Sequence, residues 1–183
     1  MAPNDLPRFQ PLTGVYEPSG IHQLADGRFI VVEDEERHAL GLLSIEAGRV
    51  RHTALEAPFW SWGDGDFWKL DDLEGVTADW AGNIYAITSH SRDSDGDERK
   101  SRERLVRFRI EGDSVVDPRV VGSLKRDLTA AHPELAAAAG IRQVKSEGGL
   151  NIEALAMSAD QNRLLIGFRS PLVDGRAIIA SIE

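Results

Sequence analysis

The stretch Glu74-Gly75-Val76-Thr77-Ala78-Asp79-Trp80-Ala81-Gly82-Asn83-Ile84-Tyr85-Ala86-Ile87 decides how the chain is read. A short apolar run, a Gly-Asn turn signal and a β-rich run, in that order, spell a hairpin. The same order occurs twice more. Ser19-Gly20-Ile21 leads to Asp26-Gly27 and then to Phe29-Ile30-Val31-Val32, without a gap. Glu153-Ala154-Leu155 leads to Asp160-Gln161-Asn162 and then to Leu164-Leu165-Ile166-Gly167, with one inserted residue. An acidic or hydroxyl residue opens the first strand of each copy. Repeated hairpins at comparable phase predict an all-β chain, a partial or open β-propeller of about three blades.

Outward from these copies the pattern stays β. Residues 40–45, 50–55, 105–110 and 177–182 read as further strands. Residues 115–124 read as one more, which Pro118 confines to an edge or breaks. One short helical insertion interrupts them at 126–140, where Ala and Leu favour helix. Pro133 divides that insertion, and Gly140 suits the position just past its end. Residues 1–183 are expected to form a single propeller-like domain. The third copy ends at Glu183 without an outer strand, so the chain is expected to be an incomplete propeller. Its exposed sheet edges favour homo-oligomers.

Composition narrows the partners. Of 183 residues, 42% are apolar and 28% charged, which is globular composition. With 21 basic and 30 acidic residues the net charge is 21 − 30 = −9. Such a chain repels polyanions, so neither nucleic acid nor an anionic membrane is an expected partner. The chain has no cysteine, which excludes disulfides, thiolate metal sites and Cys nucleophiles. Residues 1–14 carry no apolar signal-peptide core, and the longest apolar runs are too short to cross a bilayer. A cytoplasmic location is expected.

Several segments resemble a bacterial family, domain of unknown function 3616. They are Glu33-Asp34-Glu35, Asp72-Leu73-Glu74-Gly75, Ser89-His90-Ser91-Arg92, Asn151-Ile152-Glu153-Ala154-Leu155, and Gly167-Phe168-Arg169-Ser170-Pro171-Leu172 running into Asp174-Gly175-Arg176-Ala177. Their order and spacing match over nearly the whole chain. That family is similar to the esterase-like phytase group, and the resemblance implies a β-propeller. The chain departs from it in having Ala154 where the family has Gly, and in stopping where the family continues with more blades. The resemblance brings no established reaction.

The repeat itself nominates residues. Ser19, Glu74 and Glu153 fall at equivalent places in successive blades. Strand alternation puts Asp72 with Glu74, and Asn151 with Glu153, on one face each. Oxygen ligands near a propeller axis suit Ca²⁺, so Glu74, Asn151 and Glu153 are the candidate metal ligands. The alternative is that these carboxylates bind backbone N–H groups and fix neighbouring blades. A strand over 84–90 would place Thr88, His90 and Arg92 on one face. On that reading His90, Glu74 and Glu153 are the candidate catalytic groups, and Arg92 and Arg169 bind an anionic small-molecule substrate. Glu35 marks the matching strand end of the first copy. Asp93-Ser94-Asp95-Gly96-Asp97 starts like a calcium loop but lacks the required Gly and Glu further on, and reads as a hairpin tip. The aromatic run from Phe59 to Trp68 reads as packing material. No phosphate loop, nucleophile elbow, HExxH or dinucleotide fingerprint occurs. These features define a propeller domain with a metal-assisted hydrolase of esters or phosphoesters as its sharpest reading. A non-catalytic binding module or an inactive truncated relative is the alternative.

Overall fold

The structure, a computed structural model, describes residues 12–34, 39–47, 49–57 and 66–183. Within them lie three antiparallel meanders. The first sheet runs β1 (Pro18–Gln23), β2 (Phe29–Glu33), β3 (Leu40–Glu46) and β4 (Arg49–Ala54). The second runs β5 (Leu73–Ala78), β6 (Ile84–Thr88), β7 (Leu105–Glu111) and β8 (Ser114–Val121). The third has β9 (Asn151–Met157), β10 (Leu164–Val173) and β11 (Arg176–Ile182). The first strands of the sheets lie side by side, β1 against β5 and β5 against β9. This is an open, propeller-like arc of three blades, with the repeated hairpins β1–β2, β5–β6 and β9–β10 innermost.

Two residue-level features make the arc. Gly75 lets β9 approach closely: a Cβ there would lie 2.7 Å from the Leu155 backbone N. Gly20 does the same towards β5, where a Cβ would lie 3.3 Å from the Val76 backbone N. Ala154, the third equivalent, is exposed and needs no such clearance. The second feature is a relay of backbone hydrogen bonds between blades. Asp72 N donates to Asp34 O (3.1 Å), Ser89 N to Asp72 O (2.8 Å) and Ile152 N to Ser89 O (2.8 Å). The end of each second strand therefore holds the start of the next blade's first strand.

The core lies between the blades. Ile30, Val32, Leu40 and Leu42 of the first blade meet Val76, Ile84, Val106 and Phe108 of the second. Phe67 joins them, with edge-to-face contacts to Trp68 (5.0 Å) and Phe108 (5.4 Å). The aromatic reading therefore holds at Phe67; residues 59–65 of that run lie outside the described residues. A second cluster joins Ile87 and Leu105 to Ile152, Leu155, Ile166 and Phe168 of the third blade. The insertion between β8 and β9 caps this cluster through α1 (Leu124–Ala131) and α2 (Pro133–Ala139), which contribute Leu124, Leu128, Leu135 and Ala138.

Pro133 begins α2 and divides the insertion as its fixed φ requires. Gly140 does not take the left-handed cap; its φ is −74°, and Gly148 (φ 75°) has that role after the short α3 (Val144–Glu147), which the sequence reading missed. Pro118 sits in β8, an edge strand as expected, beside Asp117 at φ 51° and a register shift against β7. No helix among the described residues is long and apolar enough to cross a membrane.

Candidate functional site

The register of each inner hairpin slips at the same repeat position. Pro18 pairs with Glu33 and Gly20 with Val32, which skips Ser19. Leu73 pairs with Thr88 and Gly75 with Ile87, which skips Glu74. Ile152 pairs with Phe168 and Ala154 with Gly167, which skips Glu153. A bulge leaves its extra residue unpaired and re-aims the side chain. All three bulged residues line one pocket of about 590 Å³ at the inner ends of the blades. Asp34, Asp72, Asn151, Arg102 and Arg169 line it as well. Alternation alone thus understates the convergence; the bulges complete it.

The pocket's electrostatics are uneven. Burial pushes the Glu74 carboxyl up to about 8, helped by the negative charges of Glu153, Asp72 and Asp34 and opposed by Arg169. Asp34 is pushed up to about 6, first by burial and then by a hydrogen bond and like charge from Asp72, against the pull of Arg102. Asp72 is the hub of a buried network. Its Oδ2 accepts from Ser89 Oγ, from Ser91 Oγ (3.1 Å) and from Arg102 Nη1 (3.0 Å), while Arg102 Nε donates to Asp71 (2.8 Å). Asp34, Asp72 and Arg102 reach the pocket on segments far apart in sequence, and no spacing rule joins them. The one sequence signal is that Asp34 and Ser89 follow equivalent strands.

The candidate residues fare differently. Glu74, Glu153, Asn151 and Arg169 come together as the repeat implies. His90 does not join them. β6 ends at Thr88, and His90 turns into left-handed space at φ 56°, so the 84–90 alternation fails there. Its ring is fully buried, its Nδ1 lies 2.8 Å from Thr88 O, and burial lowers its pKa to about 4. It is absent from the pocket lining. Arg92 does line the pocket, but its guanidinium donates to Ala139 O (3.2 Å), Gly96 O (3.2 Å) and Glu98 (3.1 Å). It ties the 93–98 turn to α2. Glu35 lies outside the described residues.

The calcium trio meets, and its members are joined by hydrogen bonds: Glu153 Oε1 accepts from Asn151 Nδ2 (2.7 Å) and Arg169 Nη1 (3.2 Å). Among the described residues no three His, Asp or Glu side chains form a set that could hold a metal ion. The 93–97 turn is closed too: Asp93 accepts from the backbone N of Asp95 (3.0 Å) and Asp97 (2.8 Å) and from Arg99 Nε (2.6 Å).

No family model matches the chain, and no curated protein matches it. Solved structures do. The PQQ domain of pyranose dehydrogenase from Coprinopsis cinerea, in its holo form, is 12% identical with a TM-score of 0.47, over 85% of this chain and 28% of that one. The PQQ-bound aldose sugar dehydrogenase from Streptomyces coelicolor is 12% identical, TM-score 0.43, over 92% of this chain and 43% of that one. Hydrazine synthase from Kuenenia stuttgartiensis is 9% identical, TM-score 0.42, over 94% of this chain and 37% of that one. The chain thus spans less than half the length of each of these structures. Such likeness carries no activity or cofactor across.

Proposed function

We propose that this propeller domain is a hydrolase of small esters or phosphoesters working in the axial pocket. The pocket lining carries the reading, because it gathers carboxyl groups of unequal acidity, Glu74 from a bulge and Asp34 from the end of β2, in one place. Near pH 7 Glu74 holds its proton while Asp34, paired with Asp72, has largely lost its own. Glu74 donates a proton to the leaving oxygen, and the Asp34–Asp72 pair accepts one from the attacking water. Arg169, exposed and held by Glu153 alone among the described residues, faces the substrate's negative charge. His90 and Arg92 support the fold around the site. The reading uses no metal. Similarity to domain of unknown function 3616 is compatible with it.

Hydrolysis of nitrophenyl acetate and nitrophenyl phosphate, followed against pH, tests the reading. Activity should rise through about pH 6 and fall through about pH 8, as Asp34 and then Glu74 lose their protons. Glu74→Gln should lower kcat by roughly 10²-fold or more. Unchanged turnover in that variant, or a profile flat from pH 5 to 9, would leave the pocket as a binding site only. That second reading has one observation in its favour. Ser91, whose hydroxyl lies on the pocket lining, already donates to Asp72 and so is no free nucleophile.

A further inference from the structure

The two end blades expose faces whose equivalents are buried between blades. In the first blade the cross-strand row Gly20–Val32–Leu40 packs towards the second blade. In the second blade the row Gly75–Ile87–Leu105 packs towards the third. The equivalent row of the third blade is Ala154–Gly167–Ile179. Leu40 and Leu105 are buried, whereas Ile179 is 70% exposed. The neighbouring row on that face, Ala156–Leu165–Ser181, carries no charge either.

The first blade offers the matching half. Gly20 approaches Val76 of the next blade, and Gly75 approaches Leu155. Ile21 is the residue of β1 equivalent to Val76 and Leu155. Val76 and Leu155 are buried, whereas Ile21 is 60% exposed, and Ile45 on the same face is 58% exposed. A small residue holds the close-approach place on every blade, Ala154 included, although no described blade covers Ala154. The two open faces are thus the two halves of an interface that the chain already makes twice. Apolar surface left open in this way marks an interaction site.

We infer that the third-blade face of one copy docks on the first-blade face of a second copy of this chain. The contact joins unlike faces, and such heterologous contacts form rings when their rotation closes. Propellers close with roughly four to eight blades, and the multiple of three in that range is six. Two copies therefore make a ring of six blades held by two identical contacts. Ser19 of each copy then follows Glu153 of the other around the axis, as Glu74 follows Ser19 within one chain. The second copy thereby completes the axial pocket. The inference rests on the apolar faces and not on the hydrolase reading.

Sedimentation equilibrium of the chain from about 1 to 100 µM tests the inference. The mass should reach that of two chains and grow no further. Ile21→Glu and, separately, Ile179→Glu should each raise the dissociation constant at least tenfold, because each places a charge in both contacts. Both side chains are exposed in the single chain, so each variant should keep the circular dichroism and the cooperative melt of the parent. Val121→Glu, on the outer edge strand β8, should leave the dimer intact. Added sodium chloride should leave it intact as well, since the docking rows carry no charge to screen. A single-chain mass at every concentration overturns the inference and gives the faces to a different partner. Open-ended growth overturns the closed ring. A dimer lost in Ile179→Glu but kept in Ile21→Glu means that third blades pair with each other, and one lost in Val121→Glu means that sheet edges pair; either result overturns the inference. Glu74→Gln should keep the two-chain mass even where it loses turnover, so this inference and the hydrolase reading can fail separately.

Discussion

Glu74 shows how one position can be legible and yet chemically unforeseen. The repeat marks it as equivalent to Ser19 and Glu153, which is a statement about sequence. Its raised pKa comes from burial beside three other carboxyl groups, two of them brought by distant segments. The consequence for stability has a definite sign. Between an unfolded value near 4.5 and a folded value near 8, the native state holds the proton that the unfolded chain releases. The native state binds more protons, so stability falls as pH rises through that window. Urea midpoints should therefore decline from pH 5 to 9, and Glu74→Gln should flatten the decline. An equal slope in the variant would place the proton elsewhere. Arg102 makes the converse case: its side chain is 22% exposed and pairs with both Asp71 and Asp72. Arg102→Ala leaves two carboxylates facing each other and should cost about 3 kcal/mol in denaturant unfolding at pH 7. Much of that loss should return at low pH, where the acids are neutral.

At the scale of elements, strands were legible because period-2 alternation and Gly/Asn turns are local signals. The boundaries that failed were those set by contacts from elsewhere. β6 stops at Thr88 because His90 turns into left-handed space and swings into the interior, although Thr88 N still donates to Arg104 O and His90 N to Arg102 O. Nothing local to Ser89-His90-Ser91-Arg92 announces that turn, so both His90 and Arg92 were read towards the pocket. The bulges were equally invisible, although their effect, convergence of the repeat's acidic positions, was anticipated. Gly75 and Ala154 separate the two kinds of information. They hold the same place in the repeat, but only Gly75 meets another blade's backbone. Gly75→Ala should therefore destabilise by about 1–3 kcal/mol through overpacking against Leu155. Ala154→Gly, at an exposed strand position, should change stability by roughly 1 kcal/mol at most. Similar losses from both, measured by urea unfolding, would mean that blade contact is not what the glycine serves.

Across the whole molecule the question is whether three blades unfold as one unit. Each of the two apolar clusters spans a blade interface, and the second blade belongs to both. Ile84 and Ala86 of β6 face the first cluster, and Ile87 faces the second, with Tyr85 packed against it. Val106 and Phe108 of β7 face the first, and Leu105 the second. A five-residue strand cannot lose one face and keep the other, because both faces hang on the same backbone ladder. The backbone relay through Asp34, Asp72, Ser89 and Ile152 adds a second coupling along the inner edge. Leu135→Ala, in the helix that caps the third blade, should therefore cost about 2–5 kcal/mol. Native-state hydrogen exchange locates that loss. The slowest amides of β2 and of β10 should lose protection by the same factor, although β2 lies two blades from the substitution. Protection lost in β10 and retained in β2 would make the blades separate folding units, and the axial pocket would then depend on each of them independently.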